Sequence, residues 1–223
     1  MACQFANASL FALGISLAPV AVVLFGLATV PVFSAVLAWM ILGEPTRIAT
    51  WLTIFAVMTG IGIAVLSGDK GEVGLNPASL LGALFGLGTA IALALNFVVI
   101  RRRPQLPILL VIGTGAVLAG LSGLSIAGPA AMTDGNVWAI AVTGLVILPV
   151  SFFTLSLASR FTHASNVSLL LLLETVLGPA WVWLGTGEAP TPMMILGGAL
   201  VVGSLALYIL WTGQRASRAR RAR

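Results

Sequence analysis

Charged side chains are scarce along this sequence. Only 8% of its 223 residues are charged and 59% are hydrophobic, and the mean hydropathy is +1.11. A soluble domain carries about 25% charged residues, so the composition excludes a soluble protein and indicates a polytopic membrane protein. The longest polar stretches are a loop near residues 68–77 and a tail after Thr212. Neither is long enough to form a soluble domain.

Cysteine and histidine are almost absent, with one residue of each, Cys3 and His163. A single cysteine excludes a disulfide framework or a cysteine metal site within one chain. The sequence has no H-E-x-x-H motif, no G-x-S-x-G motif and no paired intramembrane carboxylates, which are the patterns that membrane enzymes of these kinds need. We therefore expect no enzyme activity, no metal and no cofactor.

Clusters of helix-breaking residues divide the chain into about eight apolar segments. A helix needs about 20 residues to cross a bilayer, and most of these segments reach that length. They run approximately over residues 3–17, 20–42, 48–67, 77–100, 105–126, 137–158, 164–185 and 192–212. The sequence thus predicts an all-α integral membrane protein with about eight transmembrane helices.

Basic residues are distributed unevenly among the loops. If the C-terminal tail lies in the cytoplasm, ten of the eleven Lys and Arg residues fall on the cytoplasmic side, and only Lys70 falls outside. The positive-inside rule favours this orientation, with both termini cytoplasmic and the protein in the inner, cytoplasmic membrane. We expect Arg101–Arg103 and the arginines of the tail to contact anionic lipid headgroups. Nothing in the sequence supports binding to nucleic acid.

Two parts of the chain share a pattern at a constant offset of 144 residues. Val30–Pro45 reads VPVFSAVLAWMILGEP, and Leu169–Pro190 reads LLLLLETVLGPAWVWLGTGEAP. The aligned pairs are Leu13 with Leu157, Trp39 with Trp183, Gly43 with Gly187 and Glu44 with Glu188. An odd number of spans separates the two copies, so they face opposite sides of the membrane. Inverted repeats are typical of secondary transporters, which bind substrate near the midplane between the repeats.

The seventh segment carries one carboxylate, Glu174, inside its apolar run. An ionisable group at that depth costs at least ~2.5 kcal/mol and normally faces a cavity or a partner. At helical spacing it shares a stripe with His163, Asn166, Leu170, Leu177, Gly178 and Trp181. We interpret the stripe as a cavity wall in which Glu174 binds a proton or a cation, Asn166 hydrogen-bonds substrate and Trp181 stacks on it. The alternative is a helix–helix contact with a neutral Glu174, and His163 is expected at the membrane interface.

Further polar residues and prolines within the spans are weaker candidates. Thr89, Asn96 and Thr154 could face substrate, or form interhelical hydrogen bonds worth ~1 kcal/mol. Three prolines interrupt spans and are candidate hinges, namely Pro31, Pro149 and Pro179. Glu44 and Glu188 lie at helix exits, where we expect each to cap the exposed amides of the next helix. Glycines in the third and eighth segments are expected to form packing surfaces, with a homodimer left open. They are Gly60, Gly62, Gly197, Gly198 and Gly203.

The two Gly-Glu exits resemble those of the drug/metabolite transporter superfamily, EamA-type family. Pro31–Glu44 is similar to the first copy of that family's pattern, and Leu173–Pro179 with Gly187-Glu188 is similar to the second. The resemblance implies ten helices in two inverted repeats of five, and transport of a small molecule. Compared with this pattern the chain lacks two helices at its front, which fits a fragment, a misassigned start or an eight-helix variant.

The resemblance also sets the expected organisation. Residues 1–67 would form a partial first repeat of three spans, 68–76 an external loop, 77–212 a complete second repeat and 213–223 a basic cytoplasmic tail. The expected function is a secondary transporter, an exporter more than an importer, of a small organic metabolite or amino acid by alternating access. The alternative is a truncated membrane protein that does not transport, or an assembly partner.

Overall fold

The computed structural model describes residues 1–18, 20–66, 77–128, 137–174, 177, 183–184 and 192–221. These residues form helices joined by short turns. The helices are α1 (Ala2–Leu17), α2 (Val20–Leu27), α3 (Val30–Leu42), α4 (Ile48–Leu66), α5 (Pro77–Arg102), α6 (Ile108–Ala127), α7 (Val137–Val142), α8 (Leu148–Phe161), α9 (Ala164–Leu171) and α10 (Pro192–Arg221), with a π-helical turn over Thr143–Ile147 between α7 and α8.

Among the described residues, four helical stretches are long and apolar enough to cross a bilayer. They are Val22–Leu42, Leu80–Arg102, Ile108–Ile126 and Val137–Phe161, and three shorter apolar helices cover Ala2–Leu17, Ile48–Ile63 and Ile195–Trp211. These seven match seven of the eight predicted apolar segments, and α9 begins the remaining one. The prediction of a helical membrane protein is confirmed. The last helix continues to Arg221, beyond the end expected for its span.

Two of the four long stretches are interrupted at or beside a proline. Val22–Leu42 breaks at Ala28–Thr29, and Pro31 stands in the first turn of α3, where its missing N–H costs no helical hydrogen bond. In Val137–Phe161, the π-helical turn ends just before Pro149, which is in the first turn of α8. A proline ring clashes with the carbonyl four residues earlier in a regular α-helix, so the wider turn accommodates it. Both breaks therefore have a local cause.

Helix α5 occupies the centre of the bundle. It packs against α1, α2, α3, α8 and α9. The contact with α2 depends on two glycines, because a Cβ at Gly26 would lie 2.9 Å from the backbone of Gly86, and one at Gly86 would lie 2.4 Å from the carbonyl oxygen of Val23. Backbones that approach this closely are a usual way to pack helices in lipid.

Helices α4 and α10 form a second close pair. A Cβ at Gly60 would lie 2.7 Å from the carbonyl oxygen of Gly197, so these two expected packing glycines meet each other. Gly203 of α10 faces open space and takes no part in the contact. The predicted packing surface is thus confirmed at Gly60 and Gly197, whereas Gly203 has no neighbour among the described residues.

The two stretches that follow α5 are the least covered by protein. Only 17% of the residues in the most apolar window of Ile108–Ile126 are buried, and 6% of those in Val137–Phe161, against 56% in Leu80–Arg102. Their outward side chains are large and apolar, including Leu109, Ile126, Trp138 and Leu145. A surface of this kind suits contact with lipid chains.

We expect Gly86→Ala to destabilise the fold by about 1–3 kcal/mol, because the added methyl group would overlap the backbone of α2. The measurement is the thermal midpoint of the purified protein in detergent. Gly120→Ala in α6 is the matched control, since nothing lies within 4 Å of a Cβ there. Equal midpoints for the two variants would contradict the close contact of α2 and α5.

Candidate functional site

An ion-pair cluster lies at the end of the bundle where α3 and α5 finish. Glu44 follows α3, and Arg101 stands in the last turn of α5. The Arg101 Nε lies 3.1 Å from both Glu44 oxygens, and its Nη2 lies 2.9 Å from Oε1. The two side chains are 20% and 28% exposed. This forked geometry makes the pair stronger and more specific than a single contact.

The local backbone explains how these two residues meet. Gly43 ends α3 in the left-handed region, at φ 68°, a conformation that glycine adopts at little cost. The turn places Glu44 beside the last turn of α3, where its N–H bonds to the carbonyl of Ala38 at 3.3 Å. Arg101 is favoured at the C-terminal end of α5, because the helix dipole attracts a cation there.

His163 joins the cluster from the junction between α8 and α9. Its Nδ1 lies 3.0 Å from Glu44 Oε2, and its side chain is 45% exposed. The Arg101 Nη1 also donates to the carbonyl of Thr162 at 3.0 Å, and Arg160 donates to the carbonyl of Leu106. The ion-pair cluster, meaning Glu44, Arg101 and His163, thus ties together three helix junctions.

The structure corrects two expectations at this end. Glu44 does not serve as a cap for α4, because Arg101 and His163 bind its carboxylate. Arg101 turns into the protein instead of toward lipid headgroups, whereas Arg102 and Arg103 are exposed. The sequence could not show the pair, because 57 residues separate its two members.

A second polar group links α4, α9 and α10. The Tyr208 hydroxyl donates to Asn166 Oδ1 at 2.7 Å and lies 3.0 Å from the Thr50 hydroxyl oxygen. Asn166 was predicted as a substrate contact, whereas Tyr208 was overlooked although it is the only tyrosine in the chain. Asn166 is half-buried and already occupied by this contact, so its role in binding substrate stays a prediction.

Helix α9 buries a different face from the one expected. Its buried residues include Ser165, Ser168 and Leu169, and the Ser168 hydroxyl lies 2.6 Å from that of Ser34 on α3. Leu170 and Glu174 from the predicted stripe are exposed. Glu174 is therefore not buried among the described helices, and its role in a substrate or proton pathway stays a prediction.

Several predicted residues of this segment lie outside the described residues. They are Gly178, Pro179, Trp181 and Glu188. The proposed hinge at Pro179, the stacking residue Trp181 and the cap at Glu188 therefore stay predictions. Leu177 is described and is exposed.

The remaining polar candidates differ in their surroundings. Thr89 is buried and donates to the carbonyl of Phe85 in its own helix at 2.8 Å. Thr154 is exposed and donates to the carbonyl of Val150 at 2.9 Å. Asn96 is buried, and its Nδ2 has no hydrogen-bond partner among the described residues. Of the three, Asn96 alone offers a buried group that still needs a partner.

The described part of the chain brings no three His, Cys, Asp or Glu side chains together as a metal site would need. An apolar groove of about 400 Å³ lies between α2, α3 and α4, lined by side chains that include Phe25, Trp51, Phe55 and Met58. Its lining carries almost no hydrogen-bonding groups. It suits an apolar surface better than a polar ligand.

Comparison with known proteins finds similarity in sequence and in structure. No family model matches the chain. It is 27% identical over 191 residues to "Uncharacterized transporter YdfC" of Bacillus subtilis (strain 168), covering 82% of this chain. The chain spans 60% of the length of that relative. The apolar helices and the similarity to a transporter both agree with a membrane protein.

One solved crystal structure resembles the fold closely. It has a TM-score of 0.81 and is 21% identical, covering 94% of this chain and 74% of that chain. At this identity the likeness speaks for the fold alone. The arrangement of helices is therefore one that a crystallised protein also adopts.

We expect Arg101→Lys to lower the free energy of unfolding by about 1–2 kcal/mol, because a lysine keeps the charge but loses the forked contact with Glu44. Thermal unfolding in detergent measures this. Arg102→Lys, one residue on and exposed, is the control and should leave the midpoint unchanged. If both variants unfold at the wild-type temperature, the ion pair adds nothing to stability.

Proposed function

We propose that this chain is a secondary transporter of a small organic metabolite or amino acid, of the EamA type in the drug/metabolite transporter superfamily. The observation that carries the proposal is the similarity to a transporter over 82% of the chain. The Gly-Glu exits at Gly43-Glu44 and Gly187-Glu188 favour this family among transporters. Export is the proposed direction, by alternating access across the inner, cytoplasmic membrane.

The positions of the basic residues support the proposed orientation. Helices α3, α5 and α8 end on the same side, and α1 begins there because it runs antiparallel to α5. This side carries Arg47 in the loop after α3 and Arg160 in the last turn of α8. The positive-inside rule assigns such a side to the cytoplasm. The proposed orientation thus places the ion-pair cluster at the cytoplasmic end.

Alternating access requires contacts that form and break at each end of the bundle. The ion-pair cluster is suited to this role, because it joins three junctions through exposed or half-buried polar groups instead of apolar packing. The breaks beside Pro31 and Pro149 allow parts of a helix to tilt without losing regular hydrogen bonds. We propose that the cluster holds the cytoplasmic end closed in one state of the cycle.

The proposed organisation is two inverted repeats, a partial one over residues 1–67 and a complete one over 77–212. The constant offset between the two Gly-Glu exits supports it. Between the repeats, the proposed pathway includes Glu174, Asn166 and Asn96. The substrate is a small molecule, the surrounding partner is the lipid bilayer, and a homodimer remains open as the assembled form.

A second candidate function is a membrane protein that does not transport by itself, as a shortened chain or an assembly partner. The observation that favours it is coverage, since the chain spans 60% of the related transporter. The weakly covered helices α6, α7 and α8 would then contact further protein instead of lipid.

Counterflow in liposomes separates the two candidates. Liposomes that contain the chain are loaded with an unlabelled amino acid or organic metabolite, and uptake of the same compound in labelled form is measured. We expect uptake of at least one compound of the panel. The same measurement is made on a version extended upstream to the next start in its gene. Exchange in the extended version alone would favour the second candidate, and exchange in neither would contradict transport of this substrate class.

We also expect Glu174→Gln to slow exchange by about tenfold, equivalent to ~1.4 kcal/mol of barrier, with no change in thermal stability. The reason is that an amide cannot bind a proton or pair with a cation as the carboxylate can. Glu188→Gln is the matched control and should change stability more than substrate choice. Wild-type exchange in Glu174→Gln with unchanged pH dependence would exclude proton coupling through this residue.

A further inference from the structure

Helix α1 presents its amide side chains to the protein. Gln4 and Asn7 lie one turn apart, and their exposed fractions are 2% and 5%. Buried polar groups are costly in a membrane unless they have partners. The described structure nevertheless gives Gln4 Oε1 no hydrogen-bond partner.

The register between α1 and α5 places Asn96 near these two amides. A Cβ at Gly82 would lie 2.5 Å from the Cβ of Ala18, and one at Gly14 would lie 3.0 Å from the Cβ of Phe85. The two helices are therefore antiparallel, and positions further along α5 meet positions earlier in α1. At 1.5 Å of rise per residue, this register brings Asn96 to the level of Gln4.

Helix α6 lies against Gln4. A Cβ at Gly115 would lie 2.7 Å from the Cβ of Gln4, so the absence of a side chain there lets α6 approach Gln4 closely. Asn96 is 3% exposed, and its Nδ2 lacks a partner just as Gln4 Oε1 does. One buried acceptor and one buried donor, on different helices, are thus left unsatisfied at one level of the bundle.

The chemistry of this pair indicates what would satisfy it. Gln4 Oε1 can only accept and Asn96 Nδ2 can only donate, so a ligand group must offer both a donor and an acceptor. Helix α1 has no charged side chain, and the charged residues of α5 are the two at its C-terminal end. The site therefore lacks a counter-ion for a charged ligand and suits a neutral one.

We propose that Gln4, Asn7 and Asn96 form a buried binding site for a neutral carboxamide or hydroxyl group, which water occupies when no ligand is bound. The identity of the ligand as a carried substrate rests on the proposed function. The presence of the site does not, because it follows from burial, register and unsatisfied hydrogen bonds.

Labelling of a cysteine beside the three amides tests the site without measuring transport and leaves all three amides in place. Cys3 is the only native cysteine and is replaced by alanine. Ala92→Cys, which is buried about one turn before Asn96 in α5, is then exposed to 2-aminoethyl methanethiosulfonate in membrane vesicles. Ala94→Cys is the matched control, since Ala94 is fully buried in an apolar cluster two residues away. A cationic reagent enters polar sites and avoids apolar ones, so we expect position 92 to react about tenfold faster than position 94.

The second part of the test uses neutral and charged probes. We expect acetamide or glycerol at about 0.1 M to slow labelling of Ala92→Cys about twofold, and sodium acetate to leave it unchanged. Equal rates at positions 92 and 94 would overturn the site. A fast rate at position 92 that neither neutral probe slows would leave water as the sole occupant and overturn the ligand.

Two further controls keep the outcome clear. If Ala92→Cys fails to elute as a folded protein in size-exclusion chromatography, Thr89→Cys, about one turn earlier in α5, replaces it in the same comparison. If the probes protect position 92 while counterflow fails for every substrate, the site stands and the proposed function falls. If exchange is seen without protection, the proposed function stands and the site falls.

Discussion

Close approach of the backbones around α5 is the contact on which the rest of the bundle depends. Lipid chains are as apolar as leucine, so burying leucine against leucine does little to hold membrane helices together. The glycines at Gly26 and Gly86 allow α2 and α5 to touch directly, which brings α3 and its terminal Glu44 to the end of α5. Without that approach Arg101 would have no carboxylate within reach, and the three junctions would not be joined.

Polar side chains then decide how the helices are oriented about their axes. Tyr208 connects α10 to Asn166 of α9, and Ser34 connects α3 to Ser168. Each such bond is worth only about 0.6 kcal/mol on average in a membrane protein. These bonds therefore favour one orientation of each helix about its axis but add little to the stability of the bundle. The amides of Gln4 and Asn96 differ, because Gln4 Oε1 and Asn96 Nδ2 are buried without a hydrogen-bond partner among the described residues.

The sequence predicts the helices and their order well, because length and hydropathy decide which segments enter a bilayer. It predicts the contacts of single side chains poorly. Glu44 was expected to cap α4, and its actual partner Arg101 lies on another helix. The stripe through Glu174 was expected to line a cavity. Its first members His163 and Asn166 contact Glu44 and Tyr208, whereas Leu170 and Glu174 are exposed. Periodicity only shows which residues share a face, and packing against α3 buries the serine face of α9. Asn96 was found as a candidate because a carboxamide within an apolar span is conspicuous by itself.

The separation of Glu44 from Arg101 also has a consequence for how the protein is made. The ribosome adds about 5–20 residues per second, so Arg101, which is 57 residues later, emerges roughly 3–11 seconds after Glu44 at those rates. The contact can form only after α5 has entered the bilayer, and His163 arrives later still. The ion-pair cluster thus forms late in biogenesis. It can form only when both halves of the chain have been inserted with these ends on the same side of the membrane.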